Sequence, residues 1–361
     1  MLLRMRPYIS ALTKPIFLFL LLSGFIPLSA DAVLSDFSGP VRGQNTYLPY
    51  RLFLFTPALP SSALDQGTLE AGFQLYLTND FHSYVTGTED LPEHERISDY
   101  ENILLEAQLQ YQLTSAVSVI GIFGITAYCG GFLDPVIENF HKLFWFRNAG
   151  REYFPDNEVY IDIQNDNGMD IFGDKPEVAI EDWDIWVKYA FPVASASWQP
   201  ALWTGVKVPV GAVWGSGIIS TGYPDIGILM SSDHVLLPFL ALYLQAGATV
   251  PLNAAFTAGE ETPYPFASGL ICTEWRISGS WSILGQMNIK TRVLSGGIRH
   301  WFFTETDRLS LPQTNVIAAV TRTTGKGTWQ FYFEEDFLTN QGADITVGIQ
   351  YRIMFPKRGT R

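Results

Sequence analysis

The sequence predicts an all-β fold, an antiparallel transmembrane β-barrel of about 12 strands (10–14) with one amphipathic helix in a long outer loop. Three observations carry the prediction. Apolar and polar residues alternate with period two through most of the chain. The alternating segments are longer than the roughly five or six residues of a globular strand. The connections between them are short and long in turn.

Composition narrows the class first. The 361 residues are 47% hydrophobic, 14% aromatic and only 16% charged, with a net charge of -13. A chain so poor in charge and rich in aromatics buries enough surface to fold, which argues against disorder. An acidic chain repels phosphate, so nucleic acid is not an expected partner. Cys129 and Cys272 are too few for a disulfide scaffold or a zinc site. Cys129 is placed at an outer strand end and Cys272 in mid-strand facing inward, a separation that disfavours a bond between them.

Residues 1–32 read as a secretory signal. Arg4, Arg6 and Lys14 precede an apolar run from Ile16 to Leu22, and small residues follow at Ser29, Ala30 and Ala32. That run is too short to span a bilayer comfortably. Residues 33–67 are expected to be an N-terminal periplasmic, plug-like segment, 68–355 the barrel and 356–361 a C-terminal tail.

The alternation is cleanest at the end of the chain. Ile345, Val347, Ile349, Tyr351, Ile353 and Phe355 fall on one face, and Asp344, Thr346, Gln350 and Arg352 on the other. Leu69 to Leu77, Leu105 to Leu113, Trp183 to Phe191 and Trp329 to Phe337 repeat the pattern. Successive side chains on a strand point to opposite faces, so each segment has an apolar and a polar side. The strands are placed at 68–80, 100–113, 116–127, 181–191, 198–208, 223–232, 236–249, 266–277, 281–291, 313–323, 328–337 and 343–355. Turns such as Thr114-Ser115 and Asp233 to Val235 are short; 81–99, 128–180, 209–222, 250–265 and 292–312 are long. Short turns on one side and long loops on the other are the plan of an outer-membrane barrel. A soluble sandwich shows the same alternation but has no need of such long strands. Aromatics near strand ends, Tyr100, Tyr111, Tyr128, Trp183, Phe191, Trp198, Trp281, Trp329, Phe337 and Phe355, would form its girdles.

Three blocks of residues resemble the DUF3187 group of predicted bacterial outer-membrane proteins. They are Gly39-Pro40-Val41-Arg42 with the stretch Asn45 to Phe55; Gly130 to Asp134, Ile137 to His141 and Arg147 to Arg151 with Phe154-Pro155; and Lys207 to Gly211 with Gly215 to Gly217 and Asp225 to Gly227. The resemblance implies a barrel in the cell envelope. It brings no substrate and no site residues.

Within the longest loop, Phe132, Val136, Ile137, Phe140, Leu143 and Phe144 recur at three- and four-residue spacing behind Asp134-Pro135, which predicts an amphipathic helix. Phe132, Ile137, Phe140, His141 and Phe144 are the candidate pore or gate residues, although such a stripe also suits a helix packed on the barrel rim. The acidic run from Asp156 to Asp174 is oxygen-rich, but aligning Gly168 as the turn of a calcium loop puts Ile163 where the first carboxylate belongs, so a solvated loop is expected and no metal. Gly211 to Gly227 lack the lysine of a phosphate cradle. The five histidines, His82, His94, His141, His234 and His300, fall in expected loops or turns, and no Ser–His pair stands out; neither an enzyme nor a cofactor is expected.

Charges of both signs are expected in the lumen: Glu70, Glu106, Asp182, Asp184, Glu274, Glu334, Asp336 and Asp344 against Lys188, Lys207, Arg276, Lys290, Arg322 and Arg352. Twelve strands enclose a bore between filled eight-strand barrels and open porins. The expected function is a narrow outer-membrane channel or transporter for small, hydrophobic or cationic solutes, gated by the 128–180 loop. The alternative is a surface interaction, adhesion or structural envelope protein that uses the barrel as a scaffold, its aromatic loops Trp145 to Arg147 and Trp301 to Phe303 binding a partner. Outer-membrane lipid, the barrel-assembly machinery and a small-molecule ligand are the expected partners.

Overall fold

The computed structural model describes residues 33–43, 48–88, 91–131, 133–144, 153–155, 157–164, 170–192, 195, 197–214, 220–252, 265–291, 313–336 and 345–356. The expected signal at 1–32, the tail from 357 on, and the aromatic loops at 145–147 and 301–303 lie outside them.

Among the described residues, twelve long strands form one antiparallel barrel. They are β1 (Leu69–Thr88), β2 (Leu91–Gln112), β3 (Val117–Cys129), β7 (Trp183–Ala190), β8 (Trp198–Val208), β9 (Asp225–Leu237), β10 (Leu240–Pro251), β11 (Phe266–Arg276), β12 (Trp281–Lys290), β13 (Gln313–Thr324), β14 (Gly327–Asp336) and β15 (Ile345–Phe355). Pairing of β1 with β15, from Leu69↔Phe355 to Asn79↔Ile345, closes the cylinder. Three short strands, β4 (Tyr160–Gln164), β5 (Asp170–Gly173) and β6 (Glu177–Ile180), extend the sheet at the long-loop end. The described residues also form the α-helices α1 (Leu48–Arg51), α2 (Asp134–Phe144) and α3 (Gly211–Trp214) and a 3-10 turn at Leu34–Asp36.

The two faces of the wall divide as the alternation requires. Phe73, Leu75, Leu105, Leu109, Ile125, Val187, Ile228, Ile271, Ile283, Val320, Phe331, Val347 and Ile349 are exposed around the outside. Their neighbours one residue away, among them Gln74, Glu106, Gln108, Lys188, Gln286, Gln330, Gln350 and Arg352, are buried inside. Trp275, Trp281, Trp329 and Phe355 stand on the outer face at the short-turn end.

Several sequence-based expectations are corrected here. Residues 81–99 are not a loop: β1 and β2 run on past the barrel, with Asp80↔Tyr100 continuing to Thr88↔Leu91. The turn expected at Asp233 to Val235 is inside β9, and the chain reverses at Pro238-Phe239 instead; Asp233 and His234 are buried. Asp233 faces the interior, where it holds Ser61, while His234 lies on the opposite face under Trp198; the polarity of the pair mimics a turn. His82 and His94 are likewise in strands β1 and β2. The acidic run folds partly into the β4–β5 hairpin, because Tyr160, Ile161, Ile163 and Ile171 favour strands. Tyr100 and Tyr128 join no girdle: both share the parity of Glu106, point inward and meet edge to face at 5.4 Å. Trp198 stacks on buried His234 at 6.3 Å. Arg322 is exposed beside Trp281, at 5.2 Å, because Thr321 takes the inward position.

Glycines make room for aromatics on the inner wall. Gly348 lies opposite Tyr76 on one side and Tyr332 on the other, and the two rings meet edge to face at 5.9 Å over it. Gly205 and Gly227 similarly lie beneath the Trp186 indole. Gly348→Val drives a branched side chain into the Tyr332 ring and should destabilise the barrel by about 1–3 kcal/mol, read as a lower denaturation midpoint in detergent.

Candidate functional site

Among the described residues, 38–43 and 48–64 of the chain itself occupy the bore. Val33 to Ser38 lie at the short-turn end, where Asp36 pairs with Arg276 at 3.1 Å and Phe37 lies 5.2 Å from that guanidinium. Arg276, expected in the lumen, is therefore a rim residue, held also by the Pro238 carbonyl at 2.8 Å. From Ser38 to Gly43 the chain ascends along β11, β12, β14, β15 and β1. Near the long-loop end the α1 backbone donates to the Tyr100 hydroxyl at 3.2 Å. From Leu52 to Leu64 the chain descends along β7 to β10 and leaves beside Gln112, where Leu64 N–H donates at 3.1 Å.

An extended chain carries N–H and C=O groups that cost free energy if buried unpaired. Here the wall's side chains meet them. Glu274 accepts from the N–H groups of Ser38 and Gly39 at 3.0 and 2.9 Å. The Gln286 amide accepts from Val41 N–H at 3.0 Å and donates to Val41 C=O at 2.8 Å, so one side chain satisfies a whole residue. Gln330 donates to Gly39 C=O at 3.1 Å, Tyr76 to Arg42 C=O at 2.6 Å, and Arg352 to Ser38 C=O. On the descending limb, Asp225 accepts from Leu54 N–H at 2.7 Å and Asp233 from Ser61 N–H at 2.6 Å. Gln245 donates to Leu59 C=O at 2.9 Å, and Lys188 to the carbonyls of Pro60 and Ser62 at 3.1 and 2.7 Å.

The ascending limb also carries one buried charge. Arg42 meets Glu106 in a two-pronged ion pair, Nε–Oε1 2.7 Å and Nη2–Oε2 3.0 Å, with both side chains essentially unexposed. Gln74 donates to the same carboxylate at 3.2 Å. Burial acts to lower the guanidinium's pKa, but Glu106, helped by Tyr76 and Asp184, outweighs it; the pKa lies above its ordinary value and Arg42 stays charged.

The remaining candidate lumen residues fall around the descending limb and the crossover. Asp182, just before β7, accepts from Gly211 N–H at 3.0 Å and pairs with Lys207 at 3.2 Å. Lys207 also reaches Asp225 at 3.5 Å and donates to Leu52 C=O. Asp184 lines a small recess of about 20 Å³ with Arg42, Arg51, Phe53 and Glu106. Arg51 pairs with Glu181 and donates to Thr126 at 3.2 Å. Glu334 accepts from Asn315 at 2.9 Å. A second small recess of about 30 Å³ lies between the limbs and β11 to β13, lined by Phe55, Thr56, Ser268, Asn288, Lys290 and Gln313 among others. Below the recesses Leu54 and Leu59 pack with Ile122, Trp186, Trp203 and Leu229.

Of the candidate gate residues, Ile137 is buried in α2, while Val136 and Leu143 of the same helix are exposed. Phe140, His141 and Phe144 belong to α2, but their side chains, like residue Phe132, lie outside the description. The helix start is tied to the wall: Leu133 N–H donates to Glu101, and Asn79 to Asp134 at 3.1 Å. Both cysteines are free, with Cys272 buried in β11. Among the described residues, no three His, Cys, Asp or Glu side chains come together as a metal site. Sequence reasoning did not single out Arg42, Gln286 or Tyr76; their signal was the inward parity of the two wall residues and the charge of Arg42 in a stretch otherwise poor in it.

The profile of a family described as "Protein of unknown function (DUF3187)" matches residues 18–205, more than half of the 361-residue chain. The chain belongs to the DUF3187 family. No curated protein matches it. Among solved structures, an outer membrane channel from Pseudomonas putida F1 is 12% identical, with 82% of the DUF3187 chain and 98% of the channel covered and a TM-score of 0.49. The toluene transporter TbuX of Ralstonia pickettii is 7% identical, with 81% and 90% covered and a TM-score of 0.39. The NanC porin is 7% identical, with 78% and 99% covered and a TM-score of 0.40.

Glu106→Ala leaves the Arg42 guanidinium buried without its partner and should weaken docking of the ascending limb by about 3–5 kcal/mol. Faster hydrogen exchange at the Val41 amide than in the unmodified chain is the expected reading; unchanged exchange would show that the pair does not hold the limb.

Proposed function

We propose that this protein is an outer-membrane channel for small solutes, exported through its N-terminal signal and held shut at rest by residues 38–43 and 48–64. The observation that carries this is a closed cylinder with an apolar exterior and a polar interior. In hydrocarbon every backbone group needs a partner, and a closed barrel supplies one without an edge. The inner wall is lined with amides, hydroxyls and paired charges that water or a polar solute can solvate in place of the chain. The occupying segment fills most of the passage, and the two recesses beside it have room for about one water each. The helix α2, fastened to β1 and β2 at the outer rim, is a second element of closure. Membrane lipid is the barrel's solvent on this reading, and the barrel-assembly machinery inserts it.

Two measurements test the proposal. In planar bilayers the unmodified chain should pass little current and Glu106→Ala distinctly more, since the variant frees the ascending limb; no current from either chain overturns the channel. Ile349 is on the apolar exterior, so Ile349→Arg should cost roughly 2–4 kcal/mol near mid-membrane and lower the yield of heat-resistant folded barrel in vesicles. Unchanged yield would mean that this face does not meet lipid.

A further inference from the structure

The ascending limb shows what the bore is built to hold. We propose that its groove, formed by β11, β12, β14, β15, β1 and β2, is a binding site for short extended peptides carrying a basic side chain, and that such peptides are the solutes this channel admits when the limb moves aside. The inference deepens the channel reading and rests on it.

The groove reads backbone. Glu274, Gln286, Gln330, Tyr76 and Arg352 contact N–H and C=O groups of residues 38–42, and these contacts do not depend on what the side chains are. The two-way bond between Gln286 and Val41 reproduces what a neighbouring β-strand would offer an extended chain. A sugar or a simple hydrocarbon has no alternating N–H and C=O groups to use this array. A peptide has them at about 3.3 Å per residue, with glycine needed where Gly39 turns at φ 86° beside Pro60 and where Gly43 meets Ile317.

One position reads a side chain. Glu106, with Gln74 beside it, receives the Arg42 guanidinium in a fully buried two-pronged pair. When the limb withdraws, this carboxylate becomes a buried acceptor for a cation, and a charged donor from the incoming chain replaces Arg42. The adjoining recess is acidic on balance, with Glu106, Glu181, Asp182 and Asp184 against Arg51 and Lys207 once Arg42 has left. That excess attracts basic solutes and rejects acidic ones.

The test uses the full chain with Arg42→Ala, which releases the limb while leaving every wall residue intact. A synthetic hexapeptide copying residues 38–43 is compared with the same peptide bearing alanine at its arginine, and with a trisaccharide of similar mass. Current block in bilayers and fluorescence anisotropy of the labelled hexapeptide on detergent-solubilised protein are both read. The arginine peptide should block and bind about 10- to 100-fold more tightly than the alanine peptide, as expected for losing a charged hydrogen-bonded pair, and the trisaccharide should do neither. Current without peptide binding, or equal action of the two peptides, overturns the peptide site and leaves the channel standing. Peptide binding without current keeps the site and removes the channel. Neither current nor binding removes both. Where Arg42→Ala does not fold, judged by heat-modified gel mobility, Val41→Pro serves instead: it deletes the N–H that Gln286 accepts and leaves the wall unchanged.

Discussion

A chain threaded through a β-barrel brings its own peptide groups into a space where no neighbouring strand can pair them. The wall's strands have already spent their N–H and C=O groups on one another, so only inward side chains remain to serve the guest. Much else in this structure follows from that constraint. Glutamines, carboxylates, tyrosine hydroxyls and lysines project inward from both sides of the cylinder. Glu274, Gln286, Gln330, Tyr76, Asp225, Asp233, Gln245 and Lys188 each bond a backbone group of the threaded chain. A wall of aliphatic residues would have left those groups unsatisfied, and a wall of loose water would not have held the segment in one path.

The interior is nevertheless not uniformly polar. Trp186 and Trp203 on one side and Tyr76, Tyr243 and Tyr332 on the other are buried within it. They are large, and for three of them glycine on the adjacent strand makes the room: Gly348 for Tyr76 and Tyr332, and Gly205 with Gly227 for Trp186. The rings form two apolar shelves against which Val41, Leu54 and Leu59 settle. Side chains therefore divide the work: shelves supply burial and hold the limbs against the wall, while amides and charges set the register at which each limb stops.

The wall was legible in the sequence because one face of each strand had to be apolar and the other polar, and period two survives any loop length. Its failures share one cause. Asp233 and His234 looked like turn residues because polarity marks turns in soluble proteins, whereas here Asp233 is polar because it faces the inside and His234 is covered by Trp198 on the other face. Tyr100 and Tyr128 looked like interfacial aromatics, although their even numbers, shared with Glu106, already placed them inward. Residues 38–64 could be set apart from the strands but not traced, since an irregular path held by someone else's side chains leaves no period of its own. Arg42 had no visible partner because Glu106 is distant in sequence, and only closure of the barrel brings the two together.

The two limbs are not equally fastened, and this decides how a shut barrel can open. The crossover and descending limb bury Leu48, Leu52, Phe53, Leu54 and Leu59 almost completely. Each such side chain is worth roughly 1.5–3 kcal/mol as an upper estimate, so withdrawal of that limb is rare. The ascending limb buries Val41 as its one large aliphatic side chain and otherwise depends on Arg42 and on backbone bonds that water or a solute can replace. Gly39, with φ 86° and the Pro60 ring close beside it, and Gly43 bound the stretch. In the channel we propose, the ascending limb is the element that moves while the descending limb stays, and what it vacates is a half-bore lined by β11 to β15, β1 and β2. A conducting state of that kind is narrow and polar on one side, with the remaining limb as its other wall. Such a passage selects by hydrogen bonding and by charge more than by width.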